Sequence, residues 1–206
     1  MVETQLRRRG IRDERVLEAM AAIPRELFVP PAREAAAYDD EPVAIGHGQT
    51  ISQPYITALM VQALGLSGTE TVLEVGAGCG YHAAVLASLA QRVIALEIVP
   101  QLAADARRNL EAVGLAPKVV VITGDGSLGY EPFAPYDAIS VAAAAPVAPA
   151  ALLSQLADPG RMVIPVGDLD EQELIVFLRS EGRITSQAAA RCRFVPLRGR
   201  GGWQLH

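Results

Sequence analysis

VLEVGAGCGYHAAVLASLA, residues 72–90, decides how this 206-residue chain folds. A mostly apolar strand, TVLEV (Thr71 to Val75), runs into Gly76-Ala77-Gly78-Cys79-Gly80, and a helix predicted over His82 to Ala90 follows at once. Outward from it the same alternation continues. RVIAL (Arg92 to Leu96) reads as a strand, Gln101 to Val113 as a helix ended by Gly114, and VVVIT (Val119 to Thr123) as a strand. YDAISV (Tyr136 to Val141), a helix over Ala150 to Leu156 and RMVIPV (Arg161 to Val166) complete the run. Apolar strands alternating with helices over short connections predict an α/β fold, a doubly wound, mostly parallel sheet covered on both faces.

The two ends depart from that rhythm. Near the C-terminus, ELIVFLRS (173–180) and RITSQAAARCRFVPL (183–197) have no helix between them. They are expected to form an antiparallel ribbon at the sheet edge, turning at Glu181-Gly182. Near the N-terminus, Val16, Leu17, Met20 and Ile23 recur at helical spacing within Arg15 to Ile23, with Asp13 as cap and Pro24 as stop. Pro30-Pro31 introduce a short Ala-rich helix over about Ala32 to Ala37, and YDDEPVAIGHGQTIS (38–52) reads as irregular. Pro54 then starts a helix with Ile56, Leu59, Met60, Ala63 and Leu64 on one face, closed by Gly65 and Gly68. The expectation is one domain over 1–206: an N-terminal helical and lid region (1–53), a cofactor-binding core (54–167) and a C-terminal β extension (168–206).

The glycine turn calls for a ligand. Glycine lets the backbone approach a bound group closely, and in an open α/β sheet the carboxyl end of such a strand is where a nucleotide-like ligand sits. The dinucleotide fingerprint is G-x-G-x-x-G; here the spacing is G-x-G-x-G, and Tyr81 stands at the third dinucleotide glycine. A diphosphate needs the open helix start, whereas S-adenosyl-L-methionine carries no phosphate. Glu97 ends the next strand, 17 residues beyond Gly80, where a carboxylate can accept from both ribose hydroxyls. GDGSLG (Gly124 to Gly129) puts Asp125 at the following strand end, within reach of an adenine amino group. A structural turn or a solvated acid would explain any one of these; three ligand-type residues at consecutive strand ends argue for a site.

Composition bounds the rest. Apolar residues at 50% and charged residues at 20% exclude wholesale disorder. A formal net charge of −5 offers no general attraction to nucleic acid or anionic membrane. Local basic groups remain at Arg7 to Arg9 and at Arg191, Arg193, Arg198 and Arg200, which read first as solvated surface. Cys79 and Cys192 form no disulfide framework, and His47, His82 and His206 lack metal-binding spacing, so no metal is expected. Arginines stand where a signal peptide would need an apolar stretch, and the charge-poor run Ala138 to Leu156 is broken by Pro146 and Pro149. A soluble, reduced, cytoplasmic protein is expected.

With these blocks in order, the chain resembles the protein-L-isoaspartate O-methyltransferases over nearly its whole length. GHGQTISQPYITALM (46–60) is similar to the segment G-x-G-Q-T-I-S-x-P that precedes the family's glycine turn, and it is the specific element. VLEVGAGCGYHAAVLA, GDGSLGYEPFAPYDAISV (124–141), AALLSQLADPGRMVIPVG (150–167) and RFVPLRG (193–199) resemble the later blocks. Cys79 stands where the family usually has Ser or Thr, and Ala142 replaces a common Thr. The resemblance implies a class I (Rossmann-like) methyltransferase, monomeric in most members, that uses S-adenosyl-L-methionine. Its targets would be L-isoaspartyl and, less well, D-aspartyl residues in flexible segments of damaged peptides and proteins. It implies a cofactor site built from Thr50, Ile51, Ser52 and Gln53 ahead of the turn. Glu74, Gly76, Ala77, Gly78, Gly80 and Tyr81 would follow at the turn, then Glu97 with Ile98, and Gly124, Asp125 and Gly126.

The chemistry suits these residues. A carboxylate is ionised at neutral pH, so an in-line methyl transfer to it needs no general base, and no Ser-His-Asp or paired-acid arrangement is expected. What is needed is alignment and exclusion of water. Pro54 starts a helix whose free N–H groups favour an anion, and Ser52 just ahead can donate to the substrate carboxylate as the catalytic residue. Helix capping is the plainer role for Ser52 and Gln53. Gly46 and Gly48 around His47 could close as a lid. Trp203 and Tyr81 could stack on adenine or simply pack, and the small residues of VAAAAPVAP (141–149), Ala142 and Ala143 among them, could leave room for a peptide. A carboxyl methyltransferase for a ribosomal peptide, or a binder of the cofactor without turnover, would keep the same cofactor residues.

Overall fold

Four residues of one strand, Val93, Ile94, Ala95 and Leu96, are all buried, although a strand points successive side chains to opposite faces. Val93 and Ala95 join one apolar cluster and Ile94 and Leu96 a second, so the sheet is covered on both sides. The computed structural model describes residues 1–203, and His206 lies outside them. The strands in chain order are β1 (Val43–Gly46), β2 (Gln49–Ile51), β3 (Thr71–Val75), β4 (Arg92–Glu97), β5 (Val119–Thr123), β6 (Tyr136–Val141), β7 (Leu156–Gly167), β8 (Gln172–Ser180) and β9 (Arg183–Cys192). The helices are α1 (Glu14–Ala22), α2 (Pro54–Leu64), α3 (Tyr81–Leu89), α4 (Pro100–Ala112) and α5 (Ala150–Ser154).

The main sheet runs β5-β4-β3-β6-β7-β8-β9. Its first four pairings are parallel, and β7–β8–β9 is the expected antiparallel edge. β8 turns into β9 at Glu181-Gly182, both at positive φ, with Ser180 opposite Arg183. The chain goes outward from β3 through β4 to β5, then returns to pair β6 on the other side of β3. That reversal opens a crevice at the carboxyl ends of β3 and β6. No helix among the described residues is long and apolar enough to cross a membrane.

The N-terminal segment differs from the sequence reading in two places. Residues Pro31–Ala36 are a 3-10 helix, and the stretch expected to be irregular contains the hairpin β1–β2. Its strands of four and three residues are too short for alternation to show, and Ala44, although apolar, faces out between buried Val43 and Ile45. In α2 the buried face is Thr57, Ala58, Met60, Val61 and Leu64, whereas Ile56, Leu59 and Ala63 are only partly covered. The stripe is rotated because α2 packs against both α1 and the sheet. Asp13 caps α1 as expected, accepting from Arg15 N at 3.0 Å and Val16 N at 3.4 Å. Asp13→Ala leaves those amides without that acceptor and should lower stability by about 1 kcal/mol, read as a shift in the urea midpoint at unchanged slope.

Candidate active site

Three cavities share walls at the carboxyl ends of β3, β4 and β6. The first, about 530 Å³ of empty space, is bordered by Gly76, Gly78, Glu97, Ile98, Gly126 and Ala143. The second, about 340 Å³, lies between Ser52 and the glycine turn, beside Cys79 and His82. A third, about 920 Å³, opens outward between the start of α2 and residues 191–195. Thr50 and Ala142 border all three, and Ser52 borders the second and third. A ligand in the first cavity and a chain in the third would therefore approach each other at Thr50 and Ala142, with Ser52 between the second cavity and the third.

Backbone bonds hold the glycine turn in shape. Gly76 N and Ala77 N both donate to Leu96 O, Gly78 N donates to Glu97 Oε2 at 2.7 Å, and Asn109 of α4 holds Cys79 O at 3.0 Å. Gly76 and Gly78 take positive φ, and Ile45 of the hairpin closes to 3.2 Å from where a Cβ on Gly78 would lie. Gly80 borders none of these cavities. Its φ of +89° starts α3, and a Cβ there would press on Ala106 of α4 at 3.1 Å. It is a packing glycine.

Three carboxylates serve differently. Glu97 is buried at the cleft floor, and its second oxygen accepts from Val99 N at 2.9 Å. One amide on each oxygen fixes the group and leaves lone pairs for ligand hydroxyls. Glu74 is wholly buried behind the turn and borders none of the three cavities; among the described residues both its oxygens are unpartnered, and burial, with Glu97 second, pushes its carboxyl up to about 8. A buried acid without partners is a cost that a cationic ligand group can offset. Asp125 does not border the cleft: one oxygen accepts from Ser127 N and Oγ, the other from Arg200 N at 2.9 Å. Its neighbour Gly126 borders the cleft, while Gly124 N is tied to Glu97 O.

Across the cleft from the turn, α2 begins with no side-chain cap among the described residues. Gln53 is spent elsewhere, donating Nε2 to Asp40 O at 2.7 Å, and Ser52 Oγ makes no hydrogen bond among the described residues. The capping role is therefore not the one seen. Tyr55 and Ile56, the first residues of α2 with an amide to offer, border the third cavity. Ile51 borders the second. Around Ala142 only that alanine reaches the third cavity; Ala143 faces the first.

The site also has parts the sequence did not signal. Arg25 is wholly buried, donates Nε to Ala37 O and Nη2 to Ser52 O, both at 2.6 Å, and lies 4.7 Å from the Tyr81 ring centroid. Tyr81 in turn packs edge-on against Phe28 at 5.4 Å, so its ring belongs mainly to the core. His82 shares a 3.0 Å bond with Ser140, and burial drives it down to about 4, leaving it neutral. The tail returns along the first cavity at Val195 to Arg198, pinned by Leu197 N to Ala144 O at 2.7 Å. Trp203 donates its indole N–H to the same carbonyl at 3.0 Å and borders none of the three cavities. His47 sits exposed at the tip of the β1–β2 hairpin.

Comparison with known proteins fits this geometry. The sequence model of the family described as protein-L-isoaspartate(D-aspartate) O-methyltransferase matches residues 1–202. A protein-L-isoaspartate O-methyltransferase of Methanoculleus marisnigri is 50% identical, covering 99% of this chain and 92% of its own. One of Marinobacter nauticus is 54% identical over 98% and 93%. Among solved structures, a protein-L-isoaspartate O-methyltransferase superposes with a TM-score of 0.85 at 29% identity, covering 98% of this chain and 67% of the other. Another, from Plasmodium falciparum in complex with S-adenosyl-L-homocysteine, gives 0.82 at 27% identity over 96% of both chains.

Glu74 gives the ligand-free protein a pH signature. Folded, it keeps its proton to about pH 8, against 4.5 for an ordinary glutamate, so stability falls as pH rises between those values. His82, held neutral down to about 4 against an ordinary 6.5, acts in the opposite sense and only below 6.5. Between pH 6.5 and 8 Glu74 acts without that opposition, and unfolding free energy should fall by at most about 1.4 kcal/mol per pH unit. Glu74→Gln should flatten the slope; denaturant titrations showing the same slope in both proteins would assign it to other groups.

Proposed function

We infer the working of the cleft from one premise: the chain belongs to the protein-L-isoaspartate(D-aspartate) O-methyltransferase family. It is an S-adenosyl-L-methionine-dependent enzyme that methylates the free carboxylate of isoaspartyl residues in proteins. One observation carries the assignment of roles. An uncommitted Ser52 hydroxyl and an uncapped helix start lie where the inner cavities meet the outer one.

The residues present fit the cofactor. Glu97 offers fixed acceptors for ribose hydroxyls, the glycine turn leaves room for close approach, and the orphaned Glu74 carboxyl suits a cationic ligand group. Ile98 and Leu197 supply apolar walls, and Thr50, Ile51, Ala77 and Gly126 complete the lining. Bound there, the cofactor supplies a sulfonium methyl that passes in line to a carboxylate oxygen while its bonding electrons stay on sulfur.

The reaction needs no proton acceptor, since the target is already ionised at neutral pH. Ser52 donates its hydroxyl to one carboxylate oxygen and the first amides of α2 draw the same charge, leaving the other oxygen free to attack. Arg25 holds the Ser52 carbonyl and so fixes the backbone that carries the hydroxyl. His82, neutral and bonded to Ser140, serves as a wall. We extend the reading to a single-domain monomer acting in the cytoplasm on flexible protein segments, with the regions 1–53, 54–167 and 168–206 as lid, core and extension. The negative net charge supports a role without nucleic acid.

Labelled-methyl transfer to an isoaspartyl peptide, beside calorimetric binding of S-adenosyl-L-methionine, tests the assignment; binding without transfer would make the protein a binder. Ser52→Ala should lower kcat about 10- to 100-fold with cofactor affinity nearly unchanged. Wild-type turnover would end the role of Ser52. Glu97→Gln should weaken cofactor binding by about tenfold or more and also loosen the turn, since Gly78 N loses a charged acceptor.

A further inference from the structure

The outer cavity carries a charge that methyl transfer does not use. Among the described residues its walls hold Arg9, Arg191 and Arg193 and no aspartate or glutamate, in a chain whose formal net charge is −5. Arg9 comes from the N-terminal 3-10 turn; the other two come from the end of β9 and the residue just beyond it. Opposite ends of the sequence thus bring like charges to one groove. Like charges gathered against the sign of the whole chain attract and orient anions there.

The three differ in how free they are. Arg9 is held, 2.5 Å from Asp40 and 3.6 Å over the Tyr55 ring. Arg191 meets Glu171 at 3.1 Å, but the two side chains are 82% and 62% exposed, and such a pair exchanges readily for another anion. Arg193 is exposed and has no ion pair among the described residues. Tyr55, Ile56 and Phe194 supply apolar walls in the same groove.

The reacting carboxylate is not what these arginines would hold. A guanidinium grips both oxygens of a carboxylate and draws down their nucleophilicity. Arg191 and Arg193 border the outer cavity and are absent from the walls of the two inner ones. Their charge is directed at the chain on either side of the reacting residue.

We propose that this groove is a subsite for acidic side chains, so that the enzyme prefers isoaspartyl segments carrying Asp or Glu close to the modified residue. The inference rests on the isoaspartyl methyltransferase activity and narrows its substrate class. Recognition is electrostatic, expressed mainly in KM, and weakened by salt.

The test uses the full chain and isoaspartyl peptides that carry Glu, Gln or Lys at one flanking position, on each side in turn. On at least one side kcat/KM should rank Glu over Gln by about threefold to tenfold, with Lys below Gln by a similar factor. The spread should shrink in about 0.5 M NaCl. Arg193→Glu, and the double variant with Arg191→Glu, should level or reverse the ranking; both sites are exposed, so folding is preserved. Equal values for Glu and Gln peptides on both sides, or a ranking unchanged in the double variant, would overturn the subsite alone. No transfer even to the Gln peptides would instead remove the activity on which it rests.

Discussion

The bond from the Gly78 amide to the Glu97 carboxylate is the constraint on which the cleft depends. A turn with glycines at positive φ loses much conformational freedom on folding and has no side chains to hold it. It keeps its shape because its amides are taken by the end of β4: two by Leu96 O and one by Glu97. The dependence runs both ways. A buried carboxylate is costly unless hydrogen-bonded, and Gly78 N and Val99 N satisfy one oxygen each. The group that would hold ribose is thus fixed before any ligand arrives, and fixed by the turn that would lie beneath it.

A second constraint ties the N-terminal region to the cleft. Among the described residues, Arg25 is a buried cation with no carboxylate partner and one nitrogen, Nη1, unbonded. Burial lowers its pKa, and such a group is kept only where its bonds are specific. Its bonds run to Ala37 O and Ser52 O, and its face lies against Tyr81 at the start of α3. One side chain therefore joins the N-terminal cap, the serine ahead of α2 and the helix that follows the glycine turn. This gives the first fifty residues a purpose in the site beyond covering one face of the sheet.

The chemistry explains what is missing as well as what is present. Alkylation of an existing anion asks for alignment, dryness and a small donor, and the site offers small residues, an uncapped helix start and the uncommitted Ser52 hydroxyl. Dryness comes from two directions: the β1–β2 hairpin places Ile45 over Gly78, and the tail lays Val195 to Arg198 along the first cavity. Asp125 contributes by holding Arg200 N, and a Cβ on Gly199 would collide with that carboxylate at 2.0 Å. The tail is therefore fitted to the end of β5, closing a wall that the parallel sheet leaves open.

What the sequence determined by itself is local. The strand, glycine turn and helix at 71–90, the acid at the end of the next strand, the Pro54 helix start and the Glu181-Gly182 turn all follow from periodicity and turn chemistry among near neighbours. Tertiary structure decided the rest. It set whether Glu74 would find a partner, that Gly80 would pack on α4 while Gly76 and Gly78 faced the cleft, and that Ala142 but not Ala143 would border the outer groove. It also brought Arg25 under Ser52, 27 residues away, and Trp203 to Ala144, 59 residues away. Such pairings depend on how packed layers bring distant segments together, and hydrophobic periodicity along one segment carries no record of which side chain will meet it from elsewhere.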